Sequence, residues 1–343
     1  MLSADKLYLI TDEKQVGYLT GYRTADGYAV IDHGKNLFFI DSRYYYAVKK
    51  QLGAAWQVML GSYKEAMEYL AAKKETVYVD YDYTTLAFSK ALESYGIKTA
   101  DYSEEMKAAM IYKSETELKY IEKACAIAEK AFKNTLKVLK VGMTELEAAT
   151  YLESEFKRLG ASGTSFETIV GFGAGSAVPH HMTGKTKLKP ETVVLMDFGC
   201  LYKGYCSDMT RTFYFGSKPP KEFVKAYDSV LRAHEATYDG IYEGIPCADV
   251  DKIARDVLTA DGYGKLFTHS LGHGVGVNIH EAPALSPRGK GELHNGMVHS
   301  IEPGVYINGK FGIRIEDTVC MKDGKAHTFM KVTKKLFKVK VKY

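Results

Sequence analysis

One segment constrains the fold of this chain more than any other, because it combines two strand-like runs, a turn and two carboxylates. Over residues 191–215, ETVVLMDFGC is apolar and β-branched, LYKG supplies a turn, and YCSDMTRTFYF alternates apolar with polar residues. This pattern predicts a β-hairpin. With Tyr202 and Lys203 at its tip, Asp197 and Asp208 are expected to face each other, with Cβ atoms about 5 Å apart.

Two carboxylates placed so closely need a positive partner. They repel each other unless one is protonated or a cation bridges them. Asp197 and Asp208 also lie inside apolar runs, where an unpaired aspartate is costly. The alternative is that they flank turns and cap loops, but a cation site explains their placement better.

A second hairpin is predicted in MVHSIEPGVYINGKFGIRIEDTV, residues 297–319, around its Asn-Gly pair. Glu302 and Glu316 lie nearly opposite each other in it. A two-residue turn leaves them one position out of register, so we expect a bulge at the Pro-Gly pair after Glu302. The alternative is an ordinary hairpin with surface glutamates. Alternation places His299 on the opposite face from Glu302, which argues against a ligand role for His299.

Histidines are concentrated in two further segments. THSLGHGVGVNIHE carries His269, His273 and His280 among glycines, which allow the backbone to approach a ligand closely. Three histidines within twelve positions, between the aspartates and the glutamates, favour a site over unrelated core or surface positions. His180 belongs to the loop SAVPHHMTG, before the first aspartate strand. Its neighbour His181 is expected to be solvated.

Four carboxylates and one imidazole suit two divalent ions. Two ions a few ångströms apart can generate hydroxide from water and polarise a carbonyl group. The sequence therefore predicts a metal-dependent hydrolase whose ligands are Asp197, Asp208, His273, Glu302 and Glu316.

The segments DFGCLYKGYCSDMTRT, HSLGHGVGVNIHE, SIEPGVYI and GIRIED resemble the pita-bread metallopeptidases, and within them the Xaa-Pro aminopeptidase and prolidase group. The resemblance covers residues 113–343. VGYLTGYR and LFFIDSRYYYAV resemble the creatinase-type first domain more loosely. The implied fold is an α/β N-terminal creatinase-like domain, residues 1–110, and an α+β pita-bread catalytic domain, residues 111–343.

The resemblance also implies roles for individual residues. The five carboxylate and imidazole ligands take the family's metal positions, and Glu302 also takes the position of a proton shuttle. Residues that bind substrate and stabilise the tetrahedral intermediate are implied to be His180, His269 and His280. Supporting positions are matched by Tyr306 and Arg314.

The implied activity is removal of the first residue from peptides with proline second. A prolidase that cleaves Xaa-Pro dipeptides is the main alternative. In some prolidases an arginine follows the HE-x-P motif, and here that position is Ala284. A methionine aminopeptidase lacks the separate first domain, a creatinase-like enzyme lacks the metal ligands, and a non-catalytic binding protein on this fold typically loses them. The implied cofactor is a pair of divalent ions; manganese is favoured, with cobalt, zinc or iron as alternatives.

Composition and charge limit the classes of partner that the chain is expected to bind. A net charge of +4 without a basic stripe argues against nucleic acid, and no apolar run reaches membrane-spanning length. The five cysteines show no CxxC spacing, and no signal-peptide pattern is present, so we expect free thiols in the cytoplasm. The lysine-rich C-terminus predicts an edge strand with a solvated face. Beyond a peptide substrate, the resemblance implies a homodimer.

Periodicity and capping signals predict the helices. Capping boxes at Ser114 and Thr144 begin two of them, and a polar stretch precedes the first. The remaining helices are expected over 42–52, 63–73, 84–95, 220–239 and 248–262.

Overall fold

The computed structural model describes residues 2–23 and 26–343. The chain divides into two compact units, Met1–Met110 and Ile111–Tyr343.

The N-terminal unit contains a six-stranded mixed sheet with the order β4-β3-β2-β1-β5-β6. Its centre is the apolar run LYLI, whose four residues are all buried. The strands are β1 (Leu7–Ile10), β2 (Tyr28–Asp32), β3 (Lys35–Ile40), β4 (Gln57–Leu60), β5 (Val77–Val79) and β6 (Thr99–Asp101).

Five helices accompany this sheet among the described residues of the unit, and three match the predicted segments. They are α1 (Glu13–Thr20), α2 (Tyr45–Leu52), α3 (Tyr63–Lys73), α4 (Leu86–Ser94) and α5 (Ser103–Ile111). The sequence interpretation missed α1 and treated α5 as a polar lead-in. Helix α1 is short and depends on local capping: the Asp12 carboxylate accepts hydrogen bonds from Lys14 N and Gln15 N.

The C-terminal unit contains four long helices: α6 (Glu115–Val138), α7 (Glu145–Arg158), α8 (Lys221–Gly240) and α9 (Cys247–Ala260). Both predicted capping boxes are confirmed. The hydroxyls of Ser114 and Thr144 cap the third backbone N–H of α6 and α7, and glutamates at that position cap in return.

Short, mostly antiparallel strands form the rest of this unit. They are β7 (Gly163–Thr164), β8 (Ile169–Phe172), β9 (Thr192–Phe198), β10 (Cys200–Tyr202), β11 (Tyr205–Cys206), β12 (Met209–Phe215), β13 (Gly272–Gly274), β14 (Glu281–Leu285), β15 (Val298–Ile301), β16 (Gly304–Ile307), β17 (Phe311–Arg314), β18 (Asp317–Lys322), β19 (Lys325–Thr328) and β20 (Lys338–Val339). Two of their sheets have the orders β20-β12-β9-β8 and β14-β13-β15-β18-β19. Of the lysine-rich C-terminus only β20 is a strand, at a sheet edge as predicted.

The first aspartate hairpin forms, but with a different register from the predicted one. Asp197 is opposite Thr210, and Asp208 lies just before β12. The reason is the turn: Lys203 and Gly204 both have positive φ, 52° and 85°, and occupy the two turn positions. Such a two-residue turn matches the twist of the strands, and it shifts the pairing by two residues relative to a tip at Tyr202.

The second hairpin keeps one register along its whole length, so the predicted bulge was wrong. Ile301 pairs with Asp317 and Gly304 pairs with Arg314. Glu302 and Glu316 therefore occupy opposed positions where the ladder is interrupted. A three-residue loop between Ile307 and Phe311 sets this register, in place of the two-residue turn assumed from the Asn-Gly pair.

The C-terminal unit has two apolar cores, one beneath each pair of helices. Helices α6 and α7 pack on β9 and β12, where the rings of Phe132 and Phe198 stack with centroids 5.2 Å apart. Helices α8 and α9 contribute to a second core with β16 and β17. Within the described residues, none of the helices is both long enough and apolar enough to cross a bilayer.

Candidate active site

A cavity of about 580 Å³ in the C-terminal unit is lined by every predicted metal ligand. These ligands lie at strand ends and in short connections within residues 197–316. The predicted site residues that line the cavity are Asp197, Asp208, His273, Glu302, Glu316, His180, His269, His280 and Arg314. Tyr306 lies behind this lining and is buried.

His273 presents one ring nitrogen to the carboxylates. Its Nδ1 lies 3.1 Å from the Gly274 carbonyl oxygen, which can only accept, so Nδ1 carries the proton in the neutral ring. Nε2 then lies 3.5 Å from Asp208 Oδ2 and 3.3 Å from Glu302 Oε1. Burial lowers the pKa of His273, but the hydrogen bond with Glu302 and the charges of Glu302 and Asp208 together outweigh burial and raise the pKa to about 9.

Asp208 and Glu316 are the two buried carboxyl groups of the site whose neutral form is favoured. Burial raises the pKa of both carboxyl groups well above the usual range. The charge of Asp197 raises the pKa of Asp208 further, and the charge of Asp208 raises the pKa of Glu316 further. Glu302 behaves oppositely: burial would raise its pKa, but the hydrogen bond and charge of His273 lower it to about 2. Without a cation, the cluster is compensated partly by protons.

Asp197 has one oxygen bound and one oxygen unpaired. Its Oδ2 accepts from Arg314 Nη2 at 2.5 Å. Its Oδ1 is buried and has no hydrogen-bond partner within the described part of the chain. Buried polar atoms are almost always paired, so this oxygen is suited to a cation ligand.

The donor set fits divalent ions. Ligand atoms of Asp208, His273 and Glu316 lie within 4.8 Å of one another. Carboxylate oxygens dominate, with one imidazole nitrogen, and such a set suits divalent ions. Together with the unpaired Asp197 oxygen, these residues can hold metal at the cavity.

A chain of hydrogen bonds supports the cluster from behind. Arg314 Nη1 donates to the Tyr306 hydroxyl at 2.7 Å, and that hydroxyl lies 2.9 Å from His269 Nε2. His269 Nδ1 in turn lies 2.7 Å from the Ser270 carbonyl oxygen. Both nitrogens of His269 are therefore engaged, and a donor role toward substrate requires one of these contacts to break. Burial lowers the pKa of His269 and raises that of Tyr306 to about 12.

The other two histidines predicted for the site, His280 and His180, also line the cavity. His280 packs against His273 with ring centroids 4.3 Å apart. Burial, and then the charge of His273, lower the pKa of His280. His180 is exposed and lines the cavity. The excluded candidate, His299, is fully buried and does not line the cavity.

The structure adds contacts that sequence reasoning missed. Thr210 donates to Glu316 Oε2 at 2.6 Å. Because Thr210 lies two residues after Asp208, alternation along the strand could have placed it on the same face as Asp208. Lys113 and Glu281 form a buried ion pair at 2.9 Å beside His280, and no local pattern joins residues so distant in sequence.

The expected solvation of His181 was also wrong. It lines the cavity with only 18% of its side chain exposed, and its Nε2 lies 2.9 Å from the fully buried Glu145.

Comparisons with known proteins identify the family of this chain. Residues 119–323 match the model of metallopeptidase family M24, and residues 4–109 match that of the creatinase/prolidase N-terminal domain. An uncharacterised peptidase of Staphylococcus saprophyticus is 37% identical over 75% of this chain and 73% of its own. An uncharacterised peptidase of Staphylococcus aureus is 35% identical over 90% of each chain.

Solved structures extend the similarity to the whole fold. An X-Pro aminopeptidase from Thermotoga maritima has a TM-score of 0.91 at 30% identity, covering 98% of each chain. A Xaa-Pro dipeptidase from Bacillus anthracis has a TM-score of 0.93 at 31% identity, covering 97% of this chain and 95% of its own. The predicted fold class, a creatinase-like domain and a pita-bread domain, is confirmed. The chain is a metallopeptidase and belongs to metallopeptidase family M24.

Proposed function

We propose that this chain is a Xaa-Pro aminopeptidase that uses two divalent ions. The observation that carries the proposal is the cluster of four carboxylates and one imidazole around a single cavity. The ions would be held by Asp197, Asp208, His273, Glu302 and Glu316. When bound, such ions supply Lewis acidity for the scissile carbonyl group and make a water more acidic.

The residues of the chain would then divide the remaining work. Glu302 would take a proton from the attacking water and return it to the leaving nitrogen. His280 and His180, whose ring nitrogens have no hydrogen-bond partner among the described residues, can donate to the oxyanion. We propose that His269 orients Tyr306 and Arg314, because its nitrogens already contact Tyr306 and a backbone carbonyl.

Proline specificity and substrate length are proposed from the relatives and from the cavity. Two of the similar solved structures are named for action on Xaa-Pro substrates. A dipeptidase needs a positive group for the substrate carboxylate. Among the described residues, Arg314 is the one arginine that lines the large cavity. Its guanidinium already donates hydrogen bonds to Asp197 and Tyr306. This favours the aminopeptidase.

A prolidase is the second candidate function, favoured by one observation. Exposed Arg288 lines a smaller cavity of about 370 Å³ that shares His269 and Ser270 with the large one. Its guanidinium could reach a substrate carboxylate from that side.

The experiment compares Gly-Pro, Gly-Pro-Ala and a Gly-Pro-containing pentapeptide at equal concentration with manganese-loaded protein, and Gly-Ala-Ala as the matched control. The proposal requires cleavage of the longer proline peptides. Efficient cleavage of Gly-Pro alone would make the enzyme a prolidase. Equal cleavage of Gly-Ala-Ala would reject proline specificity.

Three finer features are also proposed. Manganese is favoured by the carboxylate-rich ligand set. A cytoplasmic location is supported by five buried cysteines, all free. A homodimer is proposed from the family resemblance of the first domain.

A further inference from the structure

We infer that His181, oriented by the buried carboxylate of Glu145, is a substrate-contacting residue that accepts a hydrogen bond from an N–H group of the peptide. This inference deepens the proposed peptidase function and rests on it for the identity of the ligand.

Glu145 is a carboxylate enclosed by hydrogen-bond donors. It is the first residue of α7 and has no exposed surface. Its Oε1 accepts from Phe172 N at 2.8 Å, and its Oε2 accepts from Gly184 N at 3.1 Å. Both donors lie at the ends of the loop that carries His180 and His181. Glu145 thus ties the two ends of that cavity wall to the helix.

These contacts fix which nitrogen of His181 carries the proton. Glu145 Oε2 already accepts from Gly184 N, and it lies 2.9 Å from His181 Nε2. A carboxylate oxygen bound to backbone N–H groups acts as an acceptor, so Nε2 must donate. In the neutral ring the lone pair is then on Nδ1.

The ring is also held in place sterically. A Cβ atom added at Gly175 would lie 3.1 Å from Glu145 Oε1 and 3.1 Å from His181 Cε1, so the glycine backbone closes over the pair. An imidazole whose one nitrogen is fixed by a buried carboxylate is pre-organised to use the other.

The ring that carries the free nitrogen borders the cavity. His181 lines the same cavity as the carboxylate cluster. Its Nδ1 has no hydrogen-bond partner among the residues that the structure describes. A lone pair in a peptide-binding cavity pairs with an N–H donor and disfavours a carboxylate. Two peptide groups offer such a donor: the terminal ammonium, and the N–H of the residue after proline.

The test uses three substrates and matched variants of the manganese-loaded full chain. Gly-Pro-Ala has both donors, Gly-Pro has the ammonium alone, and Gly-Pro with an N-methylated alanine after proline lacks the internal N–H. His181→Ala is compared with the natural chain and with Lys185→Ala, an exposed position that directly follows the same loop.

We expect His181→Ala to lose about three- to tenfold in kcat/KM if the donor is the internal N–H, and about ten- to hundredfold if the donor is the charged ammonium. Either loss should appear mainly as a higher KM. A loss confined to Gly-Pro-Ala identifies the internal N–H as the donor. An equal loss on all three substrates identifies the ammonium. Unchanged KM for all three, or a fall in kcat alone, would overturn the inference, because the ring would then only support its neighbours.

Glu145→Gln separates positioning from a general structural effect. An amide there cannot accept from all three donors, so the KM for the affected substrate should rise, and the double variant should be no worse than His181→Ala alone. Additive effects would contradict a positioning role. If the natural chain cleaved none of the peptides, the proposed function would fail. The contact with His181 would still be tested by calorimetry, which compares the affinity of the natural chain and of His181→Ala for Gly-Pro-Ala.

Discussion

Replacing Arg314 with methionine should destabilise the metal-free protein far more than the metal-loaded protein. Arg314 Nη2 lies 2.5 Å from Asp197 Oδ2, and the side chains are only 4% and 12% exposed. Removing one partner of a buried ion pair leaves an uncompensated charge and costs about 3–5 kcal/mol. We expect the free energy of unfolding of metal-free Arg314→Met to fall by about this amount.

Metal should offset much of that loss. Ions held by Asp197 replace the missing positive charge, and the repulsion between the guanidinium and the ions disappears with Arg314. We expect the destabilisation in excess manganese to be smaller by at least about 1.4 kcal/mol. By linkage, the variant should then bind manganese about tenfold more tightly than the natural chain.

The assay is urea unfolding in chelator and in excess manganese, followed by far-UV circular dichroism. The one tryptophan, Trp56, lies in the N-terminal unit, so its fluorescence follows that unit separately. Arg288→Met, at an exposed position outside the large cavity, is the control and should change stability by less than about 0.5 kcal/mol. Equal losses for Arg314→Met in chelator and in manganese would refute the reasoning.

Three further outcomes are expected. His280→Ala should retain bound manganese but lose about 10²-fold or more in kcat; loss of metal at the same time would show that His280 holds the ligands. Lys113→Met should lower the free energy of unfolding by about 3–5 kcal/mol, because Glu281 loses its buried ion-pair partner, and adding Glu281→Gln should restore much of it; no recovery would argue against the pair. Burial raises the pKa of Cys200 to about 12, so its thiol stays protonated at pH 8 and should react with a disulfide reagent only on unfolding, whereas rapid labelling of the native chain would contradict this.

The carboxylate residues of the site were predictable from sequence because each lies in an apolar strand run, where burying an unpaired charge is costly. Their exact pairing was not predictable. Lys203 takes a positive φ that its side chain does not favour, and only Gly204 signals the true turn. In the second hairpin, the loop length between β16 and β17 decides that Glu302 and Glu316 are opposed.

Contacts between distant segments were beyond the reach of local patterns. Glu145 reads as an ordinary acidic residue in the first turn of a helix, and its role depends on a loop 36 residues away in sequence. Lys113 and Glu281 are 168 residues apart. Such pairs are created by tertiary packing, which fixes partners without any periodic or capping signal.

Metal content measured together with activity tests the central claim most directly. The protein is stripped with chelator, reloaded with manganese, and analysed for bound metal per chain and for turnover of Gly-Pro-Ala, with Asp208→Ala in parallel. We expect two ions per natural chain, activity that returns as the ions bind, and an Asp208→Ala variant that is folded, under-loaded and inactive. Full activity in metal-free protein or in Asp208→Ala would contradict a dinuclear metal centre at this cluster.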